Sequence, residues 1–82
     1  MVLMMRYVYI LKLSNGDCYV GKTDDLERRL KEHTSGYNKT TSRFLPVKLV
    51  TYCAFDTLEK ADRFEMYLKS GSGIAFRAKH LV

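Results

Sequence analysis

Long apolar runs are missing from this sequence, proline occurs once and cysteine twice. No stretch approaches the roughly 18 apolar residues that a membrane span needs, so none is expected. The apolar start MVLMM before Arg6 is too short for a signal peptide. Cys18 and Cys53 form no CxxC pair, and each lies in a strand-like run. That pattern argues against a disulfide framework or a zinc site. It fits small, half-buried side chains in a reducing compartment, and a cytoplasmic location is the expectation. Repeats, low-complexity segments and linkers are also missing, so residues 1–82 read as one domain.

What is present is ordinary for a globular chain. Hydrophobic residues make up 46% and charged residues 28%, which argues against disorder. A chain of 82 residues has room for one modest core. Fourteen basic residues against nine acidic give a net charge of +5, which favours an anionic partner, most often nucleic acid.

The order of elements is legible from periodicity. Residues 7–13 and 18–23 read as strands around the turn Ser14-Asn15-Gly16-Asp17. Asp24 with Glu27 resembles a capping box, Leu26 and Leu30 repeat at helical spacing, and Gly36 stands at a helix end, which predicts a helix over 25–35. Residues 37–46, YNKTTSRFLP, form a polar, basic loop closed by the proline. Residues 47–55 read as a third strand. Asp56 with Glu59 suggests the cap of a second helix over 57–69, stopped by SGSG, and a short third helix is expected from Ile74. The order β-β-α-β-α-(α) implies an α+β fold, one short sheet covered by helices.

The hairpin register decides whether Tyr9 and Tyr19 can cooperate. A two-residue turn at Asn15-Gly16 would put them on opposite faces of the sheet. A three-residue loop with Gly16 left-handed in a bulge instead sets Tyr9 opposite Gly21 and Leu11 opposite Tyr19. Gly16 is the residue that such a bulge requires, so this second register is predicted. Tyr9, Tyr19 and Gly21 then share one face, and Gly21 leaves space across from Tyr9.

The helices add charge at unusual places. On the first, Arg29 falls roughly 60° and His33 roughly 20° from Leu26, at the edge of the face that should be buried. An arginine there calls for an anionic partner or ligand. On the second, Leu58, Ala61, Phe64 and Leu68 form the apolar stripe, and Glu65 lies inside it, roughly 20° from Leu58. A carboxylate facing a core needs an ion pair or a metal. Mg²⁺ commonly takes one or two carboxylates plus water. Two tyrosines, Lys22, Arg29, His33 and a single carboxylate in a basic chain suit phosphodiester cleavage.

These residues resemble the GIY-YIG endonuclease family. Its two signature triplets would fall at Tyr7-Val8-Tyr9 and Tyr19-Val20-Gly21, with Tyr7 standing where the signature has glycine. Lys22, Arg29, His33 and Glu65 match further positions of the family pattern. The chain is similar to small stand-alone members and to the nuclease domain of the bacterial excision-repair C subunit, which points to DNA repair. The resemblance implies a three-stranded antiparallel sheet flanked by helices, and hydrolysis of DNA, on branched or damaged substrates, with one Mg²⁺ or Mn²⁺. It gives Tyr9 and Tyr19 water activation and phosphate positioning, without saying which is the base. Lys22 would support that step, Arg29 would bind the scissile phosphate, Glu65 would hold the metal and His33 would be auxiliary. No asparagine follows Glu65 where many members carry one; Ser70 and Ser72 stand nearest. With no second binding module in the sequence, target recognition falls to this domain or to a protein partner. Lys39, Thr40, Thr41, Ser42 and Arg43 of the basic loop, with Gly21, are the candidate DNA contacts. The alternatives are a non-catalytic nucleic-acid-binding module on the same fold and a subunit active only with a partner.

Overall fold

The structure is a computed structural model and describes residues 5–81. Residues 1–4, most of the short apolar start, and residue 82 lie outside the described residues. Three antiparallel strands, β1 (Arg6–Lys12), β2 (Cys18–Thr23) and β3 (Lys48–Phe55), form one open sheet in the order β2-β1-β3. The helices are α1 (Leu26–Thr34), α2 (Leu58–Lys69) and α3 (Gly71–His80), with a single 3₁₀ turn at Ser42–Phe44. Among the described residues no helix is long and apolar enough to cross a membrane.

The central strand explains the layout. β1 is apolar at consecutive positions, as expected of a strand covered on both faces. Val8 and Ile10 face α2 and pack with Val20, Ala61 and Leu68. Tyr9 and Leu11 face the other way and are also buried. Phe55, Phe64 and Phe76 pack against the first cluster and seat α3 on α2.

The hairpin has the predicted register. Tyr9 pairs with Gly21 and Leu11 with Tyr19. Gly16 is left-handed, with φ of 90°, and its N–H donates to the Leu13 carbonyl at 3.0 Å. Asp17 stands opposite Leu13, whose N–H donates to the Asp17 carbonyl at 2.9 Å. So Tyr9, Tyr19 and Gly21 share a face.

Three boundaries differ from expectation, each for a hydroxyl or a carboxyl that the local chain uses differently. The α1 cap is Asp25, whose carboxylate accepts from the Arg28 N–H, and not Asp24. Thr23 fixes the step by accepting from the Asp25 N–H at 3.1 Å, which leaves Asp24 to pair with Arg6 and Arg28. The α2 cap is Thr57, not Asp56, because Asp56 is held by Lys60 at 2.9 Å. SGSG ends α2 but also starts α3, since Ser70 accepts from the Gly73 N–H. The third helix therefore begins three residues before Ile74. Leu58 lies outside the buried stripe, 47% exposed, so that stripe is Ala61, Phe64 and Leu68.

Gly21 is required by its neighbour. A Cβ there would overlap the Cζ and hydroxyl of Tyr9 and stand 2.9 Å from its Cε1. Gly21→Ala is therefore expected to destabilise the fold by about 1–3 kcal/mol, the usual range for overpacking. Urea unfolding measures it, and an unchanged midpoint would mean that the ring of Tyr9 does not lie over Gly21.

Candidate active site

The phenol of Tyr9 begins a buried line of hydrogen bonds. Its oxygen lies 2.9 Å from His33 Nε2, and His33 Nδ1 lies 2.8 Å from the Thr41 hydroxyl. All three side chains are enclosed: Tyr9 is 2% exposed, His33 and Thr41 0%. The line joins the central strand, α1 and the 37–46 loop. Asn38 shapes that loop, its side-chain oxygen accepting from the N–H groups of Thr40 and Thr41 at 2.9 and 3.2 Å. The ring of Tyr19 completes the cluster, 6.3 Å from Tyr9 and 5.1 Å from His33 between centroids.

Burial sets the protonation of this cluster. It pushes the Tyr9 phenol well above the usual tyrosine range, and Tyr19 adds to the rise. Arg29 opposes it, while Glu32 and Glu65 reinforce it. Tyr9 therefore keeps its proton at neutral pH. His33 is pushed down, first by burial and then by Arg29, with Glu32 opposing. The ring is neutral, so one nitrogen donates and the other accepts, which satisfies both neighbouring hydroxyls.

Arg29 borders this cluster from α1. The Glu32 carboxylate lies 3.4 Å from its Nε, yet off the donor direction, and the buried Nε–H has no hydrogen-bond acceptor. An orphaned buried donor on a guanidinium is a place for an anion. A cavity of about 240 Å³ opens beside it, between Arg29, Glu32, Tyr37, Asn38 and Lys39. A larger cavity of about 500 Å³ lies elsewhere, between Tyr7, Leu49 and Tyr52. Asp24, Asp25 and Glu27 also line it, and three carboxylates make it a poor place for phosphate.

Lys22 and Glu65 occupy the other face of β2. Lys22 stands opposite Val8, so its side chain points towards α2, where its ammonium donates to Asp62 and lies 3.9 Å from Glu65. The hydrogen bond to Asp62 holds the ammonium above its ordinary range. Glu65 also pairs with Lys69 at 3.6 Å, and its side chain is 20% exposed. Its ion-pair partners are thus lysines and not Arg29. The two halves meet at the edge strand: the Tyr9 phenol feels the charges of both Arg29 and Glu65. Lys39 and Arg43 are exposed on the loop that Thr41 anchors. Ser70 is engaged locally as the α3 cap and donates to the Tyr67 carbonyl at 2.6 Å.

The sequence missed Glu32 and Asp62, although Asp62 had a signal, three residues before Glu65 on one helix face. Thr41, expected among the phosphate contacts of the loop, is instead fully buried against His33 and turned away from any ligand.

Comparison with known proteins bears on the family and the fold. The GIY-YIG catalytic domain model matches residues 5–74. The UPF0213 protein BH0048 of Halalkalibacterium halodurans is 43% identical over 67 residues, 80% of this chain and 71% of that one. The UPF0213 protein SAG0778 of Streptococcus agalactiae is 40% identical over 70 residues, 84% of this chain and 80% of its own. The solution NMR structure of the UPF0213 protein BH0048 from Bacillus halodurans matches with a TM-score of 0.60 and 38% identity, over 93% of this chain and 84% of that one.

The His33 shift has a pH consequence. Its folded value lies below the unfolded one of about 6.5, so the unfolded chain binds the extra proton first. The stability from neutral His33 is present above about pH 6.5 and is lost as pH falls below it, at up to about 1.4 kcal/mol per pH unit. Chemical denaturation at pH 5, 6 and 7 should show this slope, and His33→Gln should flatten it. An equal slope in both proteins would show that His33 is not the group responsible.

Proposed function

Because the chain belongs to the GIY-YIG catalytic domain family, we propose that it is a divalent-metal-dependent endonuclease hydrolysing DNA phosphodiester bonds. The observation that carries the reading is the orphaned Nε–H of Arg29 beside a phenol that also feels Glu65. Arg29 would take a non-bridging oxygen of the scissile phosphate and neutralise the charge that develops there. The 240 Å³ cavity next to it would receive the adjoining backbone, with Lys39 on its rim.

The two phenols differ in suitability. Tyr9 is enclosed, bonded to His33 and held in its protonated form, which suits a positioning role. Tyr19 is only half-buried and is the phenol that attacking water can reach. Tyr19 is therefore the one that would orient and activate water, with His33 auxiliary through its bond to Tyr9.

Glu65 would hold Mg²⁺ or Mn²⁺. The fit rests on Glu65 itself, a hard carboxylate whose lysine partners stand off at 3.6 and 3.9 Å and whose side chain is still 20% exposed. No cluster of three acidic, histidine or cysteine ligands occurs among the described residues. One or two carboxylates, with water and a substrate phosphate completing the shell, is how Mg²⁺ is ordinarily bound. When bound, the ion would polarise the phosphate and stabilise the leaving oxygen. Lys22 would add a fixed positive charge on the same side. The free cysteines fit a reducing, cytoplasmic setting. The 5–81 fold would work as one domain, with a protein partner or the 37–46 loop choosing the target on branched or damaged DNA.

The test is nicking of supercoiled plasmid and cleavage of branched DNA with and without Mn²⁺. Glu65→Ala and Arg29→Ala should each lower the rate by about 10²-fold or more, the scale of losing one electrostatic contact at a transition state. Cleavage that survives Glu65→Ala would place the activity elsewhere. Binding without cleavage in every condition would make this a non-catalytic module.

A further inference from the structure

Asp62 is a residue that neither the sequence motif nor the comparisons single out. It stands on α2 three residues before Glu65, and the Lys22 ammonium donates to it while lying 3.9 Å from Glu65. All three side chains are partly enclosed, 31% exposed for Lys22, 43% for Asp62 and 20% for Glu65. Lys22 is the more enclosed of the two lysines near Glu65, since the Lys69 side chain is 56% exposed. Its ammonium rests on Asp62, with Glu65 the next carboxylate within reach.

We propose that Asp62 is a positioning residue that draws the Lys22 ammonium off Glu65 and leaves the Glu65 carboxylate free to take a divalent cation. This inference rests on reading Glu65 as the metal-holding carboxylate. An ammonium and a divalent cation compete for one carboxylate, because each neutralises it and the two repel each other. Asp62 resolves the competition by giving Lys22 an acceptor one helical turn away. The ammonium then stays beside the site without occupying it. Deleting the Asp62 charge leaves Glu65 as the nearest carboxylate for Lys22, which turns a loose pair into a direct one.

The experiment follows paramagnetic broadening of the Glu65 and Leu68 amide NMR signals as Mn²⁺ is titrated to millimolar concentration into the ¹⁵N-labelled full chain. This reads metal affinity without reference to cleavage. Asp62→Asn, nearly isosteric at a half-exposed helix position, should weaken Mn²⁺ binding by about tenfold. The double variant Lys22→Met with Asp62→Asn should bind at least as tightly as the unaltered protein, because the competitor is gone. Unchanged affinity in Asp62→Asn overturns the proposal. So does a loss that persists at full size in the double variant, which would make Asp62 a direct ligand. Glu65→Gln separates the two levels of inference. If it leaves Mn²⁺ binding unchanged, both the role of Asp62 and the metal-site reading fall. If it abolishes binding while Asp62→Asn does nothing, only the role of Asp62 falls.

Discussion

The contact between Tyr9 and His33 is the constraint on which the rest of the arrangement depends. α2 and α3 are held to the sheet by ordinary apolar packing. On the other face the cover is a short helix whose single buried residue is a histidine. Leu26 and Leu30 are only half-buried, so α1 is fixed less by an apolar stripe than by a polar side chain packed against two neighbouring phenol rings. A buried imidazole is tolerated there because both of its nitrogens have partners. The same two bonds fix α1 to β1 and the 37–46 loop to α1. They thereby set where Arg29 stands, four residues before His33 on the same helix face.

That dependence reaches back to two glycines. Gly16 in the turn sets the register that puts Tyr9 opposite Gly21. Gly21 then leaves the volume that the end of the Tyr9 ring fills. With a side chain at 21 the phenol would have to move, and the bond to His33 with it. A backbone choice in a hairpin loop thus controls an interaction between a strand and a helix.

This explains which features the sequence disclosed. Strand pairing has a period of two and one demanding residue, Gly16, which decided between the two registers open to the hairpin in favour of the one observed. His33 and Glu65 were found as charged or polar groups inside otherwise apolar helical sectors, a contradiction visible from spacing alone. The caps were misplaced by one residue because Asp24-Asp25 and Asp56-Thr57 each offer two competent neighbours. Which of them caps is settled by local side-chain bonds from Thr23 and Lys60, two and four residues away. Thr41 was misread as a phosphate contact because its partner lies eight positions earlier across an irregular loop, which no local pattern discloses. The start of α3 was misread because Ser-Gly-Ser-Gly signals a break, and Ser70 makes the break and the next cap at once.

The edge position of β2 gives the two charged groups on its opposite faces a common boundary. A strand in the middle of a sheet would separate Arg29 from Glu65 by a neighbouring strand and its side chains. At the edge, nothing lies beyond β2 in the sheet, and the residue at the crossing point is a glycine. A guanidinium and a carboxylate can then act on the same phenol with opposite sign, Arg29 lowering and Glu65 raising its tendency to hold the proton. Arg29 meets Glu32 off its donor axis, and Glu65 is matched with lysines, so the guanidinium and the carboxylate do not neutralise each other. On the proposed reading this separation has a chemical use. A direct Arg29–Glu65 pair would close the boundary. Holding the two apart leaves a guanidinium for the phosphate and a carboxylate for a cation, near the same protonated phenol.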